Sequence, residues 1–343
     1  MLCMILVSCT GQKTGKENDN NDKIAIEVGE IKFPPQDVLQ LKSYYLSSSV
    51  HVDSIDYLIG YNYRLHSLDC MNLKSKSVTQ IVLPGDGPDA IVRLSGIYAQ
   101  SLDSVWISDE SERAFLIDSV GTIKRMIDLK KYLEDQEQLL INTNYAMFTS
   151  HLFYNASRHS LMFLVKHTPS NTFIVKEAFI DEVGKMATYQ LSSSKVVPDM
   201  SKGYAYINFP NVNFVGENIV YNYPVESSIY MLDIRTNERK YILADSHYTS
   251  NIIEKCTTSG DYATLEKHWL ENSHFYDIMY LPKYKIYARL HADKVDFDEK
   301  KGMEKLINER DLYLMLFDEN MEKIGETKLS NCRYSPFTSW NAT

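Results

Sequence analysis

The chain has 343 residues, with 45 acidic against 36 basic side chains and a net charge of −9. That balance offers no basic face to nucleic acid and no attraction to an anionic membrane surface. Apolar residues make up 44% and include 24 tyrosines, which suits a globular protein rich in strands, and no apolar run approaches the roughly 18 residues of a membrane span.

Taken in chain order, the first feature is Leu6-Val7-Ser8-Cys9, where apolar residues lead to a small residue and a cysteine. Bacterial lipoprotein signals have this form: a peptidase cuts before the cysteine, whose thiol is then diacylated. Residues 1–8 are therefore expected to be a lipoprotein signal peptide and Cys9 the lipid attachment site. The basic n-region of such a signal is missing, as it would be if the true start lay upstream. The competing reading is an apolar N-terminus with an ordinary thiol. Gly11–Asp22 (GQKTGKENDNND) contains no apolar residue, so residues 9–23 are expected to be a flexible tether. Such a protein would sit in the bacterial cell envelope as an outer-membrane-anchored lipoprotein, on its periplasmic or its surface face, with the membrane as a partner through the lipid.

Residues 24–343 read as one all-β domain. Ile24–Phe33 (IAIEVGEIKF) alternates, and five later segments each combine a strand, a turn and a second strand: Arg64–Leu83, Arg113–Leu129, Phe173–Leu191, Ile229–Leu243 and Leu312–Leu329. Another strand-like run precedes each of them: Tyr57–Asn62, Ser104–Ser108, Leu161–Val165, Asn218–Tyr223 and Lys285–Leu290. Period-two alternation with β-branched and aromatic residues supports strands throughout. Asp69, Asp118, Asp181, Asp233 and Asp318 are taken as turn markers. Four-strand repeats of roughly 40–50 residues describe β-propeller blades.

The longer intervals contain insertions. Gly260–Asn272 has helical spacing at Ala263, Leu265, Trp269 and Leu270, and Asp296–Arg310 is a charged helical or disordered excursion. The expected architecture is a β-propeller of about six blades with a short helical insertion near 260–272. Its sixth blade would join Ile24–Phe33 to Ser335–Trp340, and because the chain stops soon after Ser335 this last blade is expected to be incomplete. A β-sandwich is the alternative. In a propeller, Trp106, Phe163, Tyr221, Tyr287 and Leu314 should be buried between neighbouring blades.

Of the cysteines beyond the anchor, Cys70, Cys256 and Cys332 are odd in number and show no CxxC spacing, which favours buried thiols over a disulfide framework or a zinc site, one pair remaining open. Gly85-Asp86-Gly87-Pro88 lacks the phosphate-loop pattern and reads as a turn between blades. Asp293, Asp296, Asp298 and Glu299 miss calcium-loop spacing and read as a solvated loop. Nine histidines show neither HxH nor HExxH, and no GxSxG elbow occurs. The sequence therefore points to no metal, no cofactor and no catalytic residue.

The features with most promise are polar and aromatic residues on the expected inner strands. His151, Asn208, Asn211, His274 and Tyr276 sit at or just before the first strand of a blade, where they could form a ligand pocket at the mouth of the central channel. The plainer reading is that they satisfy backbone groups around a water-filled channel.

The Cys9 anchor, the polar tether, Gly85–Asp89, Glu271–Phe275 and Lys283–Arg289 together resemble an uncharacterised lipoprotein family of Bacteroidota, a domain of unknown function related to six-bladed propellers. The likeness covers most of the chain after about residue 30 and implies the fold, but no activity and no site residue. The expected function is a lipid-anchored binding or interaction module for a small molecule, glycan or protein. The alternative is an envelope hydrolase or lyase with its site at the channel mouth; two carboxylates or three converging histidines there would favour it.

Overall fold

Short alternating segments divided by turn residues fold as antiparallel hairpins, and in the computed structural model these stack as blades. The structure describes residues 2–8, 25–33, 44, 46–140, 152–196, 204, 209–256 and 261–329. Strands β1 (Leu2–Ser8) and β2 (Ala25–Ile31) pair with each other in a two-stranded sheet. The first blade is β3 (Ser47–Val52), β4 (Ile55–Asn62), β5 (Ser67–Asn72) and β6 (Val78–Val82). The second is β7 (Leu94–Ser101), β8 (Ser104–Asp109), β9 (Arg113–Ile117) and β10 (Ile123–Asp128).

In the third blade the inner strand is in two pieces. Strands β11 (Glu137–Leu139) and β12 (Phe153–Asn155) lie along opposite ends of β13 (Ser160–His167), followed by β14 (Thr172–Phe179) and β15 (Met186–Gln190). The fourth blade is β16 (Asn211–Val215), β17 (Asn218–Asn222), β18 (Ile229–Asp233) and β19 (Arg239–Ile242). The fifth is β20 (His274–Leu281), β21 (Ile286–Ala292), β22 (Leu312–Phe317) and β23 (Lys323–Lys328). Helix α1 (Tyr262–Leu270) lies in the crossover from β19 to β20, as its spacing predicts, and α2 (Met303–Glu309) in the connection from β21 to β22.

Among the described residues the chain is thus a β-propeller of five blades, with β3 against β7, β7 against β12, and β16 against β20 along the inner side. Successive residues of a strand point to opposite faces, and here each face meets a different blade. Val105 and Ile107 join the cluster shared with the first blade, while Trp106 joins Leu161 and Phe163 of the third. Met162 and Leu164 turn the other way, toward Val212 and Tyr221 of the fourth. Because both faces are covered, the second strands read as nearly continuous apolar runs. Trp106, Phe163, Tyr221 and Tyr287 are all buried and occupy second strands; Leu314 is buried too, but on the third strand of its blade.

Two expectations need correction. The sixth blade does not form among the described residues: Ala25–Ile31 pairs with Leu2–Ser8, residues 335–340 lie outside the description, and the fifth blade already has its four strands. Asp69 is also no turn residue. It is fully buried within β5, accepting from Tyr44 Oη (2.5 Å), Asn62 Nδ2 (3.0 Å) and Gln80 Nε2 (2.7 Å). The turn belongs instead to Asn72, whose side chain accepts from the backbone N–H of Lys74 and Ser75, the Asx arrangement that Asp118, Asp233 and Asp318 also adopt. The Gly85–Pro88 segment is the predicted turn between blades, with Gly87 at φ +91°. Cys70 is buried in the core, which pushes its thiol up to about 12; Cys332 lies outside the described residues.

Candidate binding cluster on the crossover face

In an antiparallel four-stranded blade, the connections between second and third strands emerge at the same end as the crossovers to the next blade. In the fifth blade that crossover face carries α1, α2 and the start of β20. Helix α1 is capped by Asp261, whose carboxylate accepts from Ala263 N. It buries Trp269 and Leu270 with Leu306 of α2 and Val225 of the fourth blade. This packing brings Trp269 over the first residues of β20.

Pairing of β20 with β21 slips between Phe275 and Ile278, a bulge that bends the strand and frees a carbonyl from the ladder. The Phe275 carbonyl is taken up from the neighbouring blade, by Asn211 Nδ2 at 3.1 Å and Asn222 Nδ2 at 3.4 Å. Asn211 therefore braces two blades through backbone, the plainer of its two sequence readings. His274 and Tyr276 flank that carbonyl, their rings 4.6 Å apart.

His274 is 2% exposed. Its Nδ1 accepts from Trp269 Nε1 at 3.2 Å, so in the neutral ring the proton sits on Nε2. Burial, then the charge of Arg310, pushes its pKa well below the ordinary histidine value, and the ring is a neutral donor. Burial also raises the phenol of Tyr276. Arg310, the residue after α2, lies over the Trp269 ring at 5.2 Å. It donates from Nε to the Asp293 carbonyl (2.6 Å) and from Nη2 to the Asn272 carbonyl (2.7 Å). Of the residues picked from sequence, the structure thus gathers Asn211, His274 and Tyr276 at one end of β20; Cys9, His151 and Asn208 lie outside the described residues. Sequence reasoning missed Trp269 and Arg310 as partners. Trp269 reads as the apolar face of a helix, and Arg310 as the end of a charged excursion.

Two further buried polar groups adjoin this cluster. Arg289 is held between the rings of Phe275 (4.9 Å) and Phe317 (5.8 Å) and donates to the carbonyls of Ser227 and Ala244. His291 stacks between Phe275 and Tyr313, with Nε2 2.9 Å from Glu326 Oε1. Burial disfavours the Glu326 carboxylate, yet His291, Lys323, Ser246 and the His247 amide together hold its pKa down at about 2. These contacts fasten the crossover at 244–249 to the blade. No group of three or more metal-ligating side chains occurs among the described residues.

A propeller carrying a polar cluster on one face is a scaffold on which many activities have been built. The chain belongs to the family of Domain of unknown function (DUF4221), whose model matches residues 17–328. It is similar in structure to a member of that family from Bacteroides vulgatus, with a TM-score of 0.68 at 15% identity, covering 87% of this chain and 84% of the other. It is also similar to a Bacteroides fragilis protein whose name proposes that it is exported, with a TM-score of 0.51 at 13% identity, covering 87% of this chain and 74% of the other. Both likenesses concern the fold. No curated protein matches the sequence.

Proposed function

We propose that this protein is a lipid-anchored envelope binding module that holds a small molecule, glycan or protein segment at the His274 cluster. One observation carries this reading: His274, Tyr276, Trp269 and Arg310 converge on the crossover face, Nη1 of Arg310 is left without an acceptor, and His274 is kept neutral. A hydrolase or lyase at this place would need a pair of carboxylates or three histidines. The Leu6–Cys9 motif and the polar tether support anchoring through Cys9, and the proposed export of the Bacteroides fragilis neighbour agrees with an envelope location.

The test is a thermal-shift screen of the full chain against neutral and acidic glycans, peptides and amino-acid derivatives, with wild type and His274→Phe side by side. A ligand at 100 times its Kd stabilises by about 2.7 kcal/mol, a shift that His274→Phe should lose. Equal stabilisation of both forms overturns the site, and turnover of a panel member overturns the binding reading. For the anchor, Cys9→Ala should move the protein from the detergent phase to the soluble envelope fraction; unchanged partitioning overturns it.

A further inference from the structure

We infer that the His274 cluster takes the carboxylate of its ligand, received by Arg310 Nη1 and the Nε2 hydrogen of His274. This deepens the binding reading and rests on it. Arg310 is 8% exposed, and two of its three nitrogens bond neutral main-chain carbonyls. The guanidinium is a rigid planar fork, so these two bonds and the Trp269 face fix where Nη1 lies. Nη1 is buried and has no acceptor. The Trp269 bond uses Nδ1 of His274 and leaves its Nε2 hydrogen outside that contact.

The other partly buried arginines are satisfied differently. Arg113 pairs with Asp109 at 2.8 Å and Arg158 with Glu177 at 2.8 Å, whereas no side-chain carboxylate pairs with Arg310 among the described residues. Asp293 acts on it through space, but that half-buried carboxylate accepts from Lys294 N. Arg289 provides an internal comparison. It also bonds two carbonyls, but its orphan hydrogen is the single one on Nε, enclosed between two phenyl rings, and Glu326, Asp245 and Glu226 already balance its charge. Arg310 instead has its unpartnered group on a terminal amino nitrogen, and His274, bonded to the same Trp269 whose ring Arg310 covers, supplies a neutral donor. One cation with one neutral donor matches the single charge and planar oxygen pair of a carboxylate; a phosphate dianion calls for more positive charge.

A carboxylate can come from an acidic sugar or from the end of a peptide, and the experiment separates them. Acetate, glucuronate and N-acetylglycine are titrated into the full-length protein at matched ionic strength, each against its neutral amide: acetamide, glucuronamide and N-acetylglycinamide. Calorimetry and thermal shift are the readouts. The acids should bind and their amides should not, with at least tenfold weaker binding in Arg310→Gln and a smaller loss in His274→Phe; the stronger of glucuronate and N-acetylglycine identifies the source. Should Arg310→Gln fail to fold, the comparison of acid with amide in wild type still decides. Equal binding of acids and amides, lost in His274→Phe, overturns the carboxylate and leaves the site intact. No binding of any acid also overturns the carboxylate, and the broader panel then judges the site separately.

Discussion

His274 and His291 show how burial sets the chemistry of single residues in this propeller. Both are held below the ordinary histidine pKa, burial being the first cause in each, with Arg310 adding to it at His274 and Arg289 at His291. The unfolded chain takes up a proton at each below about pH 6.5, and the native state does not. Stability present above that pH is therefore lost as the pH falls, by up to about 1.4 kcal/mol per unit for each ring. Glu326, held at about 2, adds its own loss only below the ordinary carboxylate range, whereas Glu226, raised by burial, opposes the histidines because its stability is lost as pH rises. Urea midpoints at pH 7.5 and 5.5 should fall toward acid, and His274→Phe should flatten the slope; an unchanged slope would show that the ring is protonated in the native state. At Arg289, substitution by Ala orphans the Ser227 and Ala244 carbonyls and opens a cavity between two phenyl rings, at a cost of about 3–5 kcal/mol. Arg289→Met keeps the stem and should cost less, as chemical denaturation would show. His274 and Tyr276 were legible in sequence because polar and aromatic residues open an otherwise apolar strand. Arg310 was not, because only the fold brings the end of one connection against a helix in another.

At the scale of elements, the strands were legible where both faces are covered, since β-branched and aromatic runs with turn residues between them have few other ways to be buried. Asp69 misled because an aspartate in an alternating strand looks like a turn until Tyr44, Asn62 and Gln80 are seen to satisfy it. The bulge in β20 was illegible for a related reason: its cause lies in the neighbouring blade, where Asn211 and Asn222 receive the Phe275 carbonyl. Removing Asn211 should therefore act on two elements together. Asn211→Ala is expected to cost about 1–3 kcal/mol in urea denaturation and to weaken ligands of the His274 cluster, because the bulge orients Tyr276. Asn222→Ala, whose bond is longer, should do less of both. Loss of stability in Asn211→Ala with undiminished ligand affinity would show that Tyr276 is positioned by something other than the bulge.

For the whole molecule, the five blades share continuous clusters from the first to the fifth, whereas β1 and β2 form a separate sheet. That separation bears on the proposed processing at Cys9. Cleavage there would remove Leu2–Ser8, the strand that β2 pairs with along its whole length, and leave the alternate amides of Ala25–Ile31 that bond across to it without partners. A lone strand of this length has no stability of its own in water. In the full chain, alternate amides of residues 25–31 should exchange measurably more slowly than in a chain starting at residue 9, while the amides of β8, β13, β17 and β21 keep their protection in both. If residues 25–31 remain protected without β1, they have taken an edge of the blades, and the sixth-blade pairing drawn from the sequence describes the processed protein after all.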